Sequence, residues 1–244
     1  MFWKESKGLT DLSASSKVAI TLFLILAGIG YLFGFFTIYT TYSPVDGEKG
    51  LSVNDIRLTF WGKRETTRLE KSIDGTMKEY FASEADYNAT KEWIAAGAPR
   101  DEWDSTIKPI FDTSCSTCHS EEAAVAGAVT ATYEDVQEFL TMDTGKSPSR
   151  LVSLSHTHWL ATLPVIFLLA LIFSFTTYKE GIKVFVMAFS FLSIPVDIGS
   201  WWLAKLSPAL SFLVILGGVA LAITFLLLIV LSLYEMYIKK GTTA

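Results

Sequence analysis

Residues 115–119 read Cys115-Ser116-Thr117-Cys118-His119. The C-x-x-C-H pattern is the attachment signature of a c-type haem. Two thiols at this spacing reach the two vinyl groups of one porphyrin, and the histidine after the second cysteine offers its imidazole to the iron. These are the only two cysteines in 244 residues. A zinc site wants two further ligands, and the sequence holds no second C-x-x-C and no H-x3-H pair. A thioredoxin-like motif wants a strand before it and a helix opening on the first cysteine, whereas Ile107-Lys108-Pro109-Ile110-Phe111-Asp112 stands there. The expectation is one covalent haem on Cys115 and Cys118, with His119 as the proximal iron ligand.

Outward from this motif the chain divides by hydropathy. Half of the residues are hydrophobic and the mean hydropathy is +0.38, high for a soluble protein. The apolar residues fall in four blocks. Val18–Tyr42 and Trp159–Tyr178 carry no charge, Val184–Ala204 is broken only by Asp197, and Leu206–Tyr234 is the fourth. Each reaches the roughly 20 residues needed to cross a hydrocarbon layer of about 30 Å. The expected fold is mainly α, with transmembrane helices over 18–42, 156–178, 184–204 and 208–236, short tails at 1–17 and 237–244, and a small helical extramembrane domain at 43–155 between the first two helices. The first block is too long for the apolar core of a signal peptide and no small-residue cleavage site follows it, so it reads as an uncleaved anchor. Lys4, Lys7 and Lys17 precede the first helix, Lys179 and Lys183 separate the second from the third, and Lys239 and Lys240 follow the fourth. Only Lys205 lies between the third and fourth. Positive residues stay inside, so both termini are expected in the cytoplasm and the haem domain on the periplasmic side of a bacterial inner membrane.

Within 43–155, Ser52–Phe81 is amphipathic, with Asn54 and Asp55 as helix-start residues and Gly62 and Gly75 as breaks. Asn88–Gly97 reads as a short helix ended by Gly97-Ala98-Pro99, and Tyr133–Leu140 has helical spacing. Thr144-Gly145-Lys146-Ser147-Pro148 reads as a turn. The segment holds 12 Lys and Arg against 20 Asp and Glu. Such an acidic face suits a basic partner such as a soluble cytochrome c and does not suit nucleic acid.

The remaining histidines sit together, in Ser155-His156-Thr157-His158-Trp159. One of them is the expected sixth iron ligand, His158 favoured over His156. Positions i and i+2 of a helix point about 200° apart, so the other is free to meet a haem propionate or a quinone. Met142 is the alternative sixth ligand. The glycines Gly28, Gly30 and Gly34 in the first helix mark close helix packing. Asp197, within the third helix beside Pro195, is a candidate for a proton path, a partner pair or a snorkelling structural role.

These pieces resemble bacterial membrane-bound monohaem cytochromes c. The resemblance runs through Asp55-Ile56-Arg57, Gly62, Thr67-Arg68-Leu69-Glu70, Gly75-Thr76-Met77, Trp93-Ile94-Ala95-Ala96-Gly97-Ala98-Pro99, the C-x-x-C-H and Ser155-His156-Thr157-His158, and covers roughly residues 50–165. It implies a cytochrome c-type domain, one haem c, and one-electron transfer as a subunit of a respiratory or photosynthetic complex, alongside other membrane subunits. Two rival readings are a quinol:cytochrome c oxidoreductase subunit with a quinone site near His156, His158 and Asp197, and a structural assembly subunit.

Overall fold

The computed structural model describes residues 8–43, 45–123 and 128–239; Lys4, Lys7 and Lys240 lie outside them. Ten α-helices follow in order among these residues: α1 Ala14–Tyr42, α2 Val53–Phe60, α3 Arg68–Asp74, α4 Glu84–Ala95, α5 Lys108–Ser114, α6 Ser116–His119, α7 Tyr133–Gln137, α8 Pro148–Ser174, α9 Glu180–Leu203 and α10 Phe212–Tyr237. No strand occurs among them, only an isolated bridge between Thr67 and Met142. The chain forms two compact units, Met1–Thr40 with Ser147–Ala244, and Thr41–Lys146.

The first unit is the membrane part. α1, α8, α9, and α10 with its leading 3-10 turn at Pro208–Ser211, are each long and apolar enough to cross a bilayer, so the chain is a multi-pass membrane protein. α8 begins at Pro148, two turns before His156. Hydropathy rises only after His158, but the cap lies upstream: Ser147 accepts the Arg150 N–H, and Pro148 occupies the first turn, where its missing N–H costs nothing. α9 runs unbroken through Pro195.

The bundle is joined by small residues and internal polar contacts, as expected where lipid removes the hydrophobic drive for helix pairing. Of the three α1 glycines, only Gly28 faces a neighbour, with Ile229 at 3.5 Å from a built Cβ; Gly30 and Gly34 have nothing within 4 Å. The tight crossing is instead α9 on α10, where a Cβ at Gly217 would lie 2.6 Å from the Asp197 Cα. Thr224 donates to Ser193 across the same pair at 3.1 Å. Tyr31 of α1 stacks on Phe225 at 4.4 Å. At the other end of α10, Glu235 is fully buried. Its carboxylate accepts the Thr177 N–H at 2.7 Å, the Thr177 hydroxyl at 2.9 Å, the Leu9 N–H at 3.3 Å and the Lys239 ammonium at 3.3 Å. One carboxylate thus ties the segment before α1, the α8–α9 connection and α10, which is how a charge is tolerated there.

The second unit has its own core of Leu69, Ile73, Tyr87, Trp93, Trp103, Ile107, Phe111, Val136 and neighbours. Ser52 and Asp55 form a reciprocal capping box that opens α2. α4 starts at Glu84, capped by Ser83, one turn before the expected Asn88. The Tyr133–Leu140 stretch splits into α7 and a 3-10 turn at Glu138–Leu140. The segment 141–143 pairs back against 64–68 through Arg68 N–H to Thr141 O, Asp143 N–H to Thr66 O and Arg64 N–H to Asp143 O. Gly62 and Gly145 permit this: both have positive φ, and a Cβ on either would lie 2.4 Å from backbone of the other segment.

Candidate functional site

Pro109 at the start of α5 presets its first turn, and Ile110 and Phe111 anchor that helix in the core. The chain then passes through Cys115 into the single turn of α6. Cys118 N–H and His119 N–H both donate to the Cys115 carbonyl, at 3.1 and 2.9 Å. Cys115, Cys118 and His119 are therefore spaced i, i+3 and i+4 and share one face. Both thiols are free. Cys118 is exposed, while Cys115 is half-buried against the aromatic core.

Burial pushes the Cys115 thiol up to about 11. A redox or zinc-binding cysteine needs the thiolate, and this environment favours the S–H form that adds across a vinyl group. Among the described residues no group of three or more His, Cys, Asp and Glu side chains converges on one point.

The His119 ring is oriented by the returning loop. Its Nδ1 donates to the Ala128 carbonyl at 3.1 Å, and the Thr130 N–H donates to the His119 carbonyl at 2.9 Å. A carbonyl oxygen only accepts, so Nδ1 carries a proton, and in the neutral ring Nε2 keeps its lone pair. Such a backbone contact is how a metal-binding histidine is held in one tautomer. Beneath Cys115 the rings of Trp103, Phe111, Trp93 and Tyr133 pack with centroids 5.3 to 6.4 Å apart. Their polar ends are satisfied: Trp93 Nε1 donates to Pro99 O and Tyr133 Oη to Ala98 O. The residues present fit a haem c: two reachable thiols, an imidazole aimed by its second nitrogen, and an aromatic floor.

Met142 lies in the same unit, on the backbone bridge to Thr67, and the residue is 55% exposed. Asp143 beside it is the residue that holds the bridge, and it was not singled out from sequence. Its carboxylate accepts from Lys63 N–H at 2.7 Å and Gly145 N–H at 2.9 Å, and pairs with Lys71 at 2.9 Å. Burial opposes the charge, yet the Lys63 and Gly145 amides and Lys71 hold the carboxyl below the usual range.

In the membrane unit, His156 and His158 are both exposed on α8. His158 Nδ1 donates to the Leu154 carbonyl at 3.0 Å, and its ring stands edge-on to Trp201 at 5.0 Å and 90°. Trp202 Nε1 donates to Ser155 Oγ at 3.1 Å. Asp197 is buried on α9, one turn before Trp201. His158 on Trp201 and Ser155 on Trp202 thus join the start of α8 to the end of α9, a juxtaposition that spacing within α8 and α9 separately does not reveal.

A family described as a transmembrane helical domain matches residues 129–243. The match takes in α7 to α10 and begins after His119, so it bears on the membrane part and not on the Cys115 turn. Neither the curated proteins nor the solved structures give a match to this chain.

Proposed function

We propose that this chain is a membrane-bound monohaem c-type cytochrome that carries single electrons as a subunit of a larger respiratory or photosynthetic assembly. The observation that carries the reading is the Cys115–His119 turn: both thiols and the imidazole lie on one face, and the Nδ1 contact to Ala128 leaves Nε2 for iron. A haem bound there supplies the one-electron couple. Cys115 and Cys118 would hold that haem and His119 would offer its Nε2 to the iron, with the aromatic core beside Cys115 excluding water. Three membrane helices beyond the one that tethering needs favour docking against other membrane subunits, and the acidic haem domain favours a basic soluble electron carrier. Lysine distribution supports a periplasmic haem domain. His158, His156 and Met142 are the proposed set from which the sixth ligand comes.

Covalent attachment is the test. Denatured full-length protein should keep haem peroxidase stain, and Cys115→Ala with Cys118→Ala should lose it. Stain retained by the double variant sinks the cytochrome reading. In the same preparations, the variant among His158→Ala, His156→Ala and Met142→Ala that turns the iron high spin names the sixth ligand.

A further inference from the structure

We infer that the α8/α9 end around His158 binds a hydroquinone headgroup, the reduced form in preference to the quinone. The inference rests on the electron-transfer reading above, since a hydroquinone is a membrane-soluble donor to such a carrier. His158 is exposed and stands where the apolar run of α8 begins. Its Nδ1 proton is committed to the Leu154 carbonyl. In the neutral ring Nε2 is therefore an acceptor, and an acceptor at the edge of the hydrocarbon layer gains from any donor that reaches it.

The surroundings select a flat aromatic donor. Trp201 packs edge-on against His158. Trp202 is pinned by Ser155, one turn before His158 on α8. The exposed Trp202 indole and one imidazole acceptor, backed by the buried Trp201, suit a planar ring that carries an O–H. A quinone carbonyl only accepts and cannot pair with Nε2, so oxidation of the ligand removes the contact.

The test uses full-length holoprotein in phosphatidylcholine nanodiscs, whose headgroup has no N–H or O–H donor, and measures decylubiquinol retained above empty nanodiscs. One saturable site is expected, with decylubiquinol held about tenfold more tightly than decylubiquinone, the worth of one hydrogen bond. His158→Phe should erase that preference, and His158→Gln, which keeps an acceptor, should restore part of it. Equal retention of the two forms, or a preference unchanged in His158→Phe, overturns the inference. So does a change of haem spin state in His158→Phe, which would place that imidazole on the iron. Failure of the cytochrome reading itself shows separately, as absent haem stain in the parent protein.

Discussion

At the residue scale, Asp143 shows how one side chain holds a loop together. Its side chain is 5% exposed, and it takes two backbone N–H groups and Lys71. Asp143→Asn keeps the shape and removes the charge, and should cost about 2–3 kcal/mol at neutral pH. Because the carboxyl lies below its ordinary 3.8, its contribution is present above that value and is lost as pH falls through the lower folded value. Amide hydrogen exchange over 62–68 and 141–146 should therefore be faster in the variant at neutral pH, with the gap narrowing below pH 3.8. An unchanged exchange rate at neutral pH contradicts this role. The identities Cys115, Cys118 and His119 were legible in the sequence as a motif. The His119 tautomer was not, because its partner Ala128 has no sequence signature and is placed only by the loop that folds back.

At the scale of elements, the α9–α10 crossing depends on Gly217. A side chain there meets Asp197 backbone at 2.6 Å, a contact that rotamers cannot relieve. Gly217→Val should force the two helices apart and cost about 1–3 kcal/mol, read as a lower detergent-denaturation midpoint. Gly30→Val, with open space around it, should leave the midpoint nearly unchanged. Equal effects of the two would refute the assignment. Sequence pointed to the α1 glycines because small residues on a membrane helix suggest packing. Which glycine actually meets a neighbour depends on how each helix is turned about its axis, and hydropathy is blind to rotation in a helix apolar on every side.

At the scale of the whole molecule, the lysine pattern makes topology testable. A reporter fused after Ala244 should be active in the cytoplasm, and one inserted beside Gly145 should be active on the periplasmic side. A periplasmic C-terminus would require an odd number of spans and remove one of the four helices. Their number and approximate place were determined by sequence alone, because about 30 Å of hydrocarbon imposes a length and an apolarity that any reader of the chain can count. The same holds for the single turn that puts Cys115, Cys118 and His119 on one face, because that spacing is local. Only the tertiary structure decided that Glu235 ties three segments together, that Asp143 closes the bridge carrying Met142, and that His158 meets Trp201. Those partners are far apart in the chain, and no period or motif connects them. They meet because buried polar groups must find a partner, and the fold alone settles which one comes within reach.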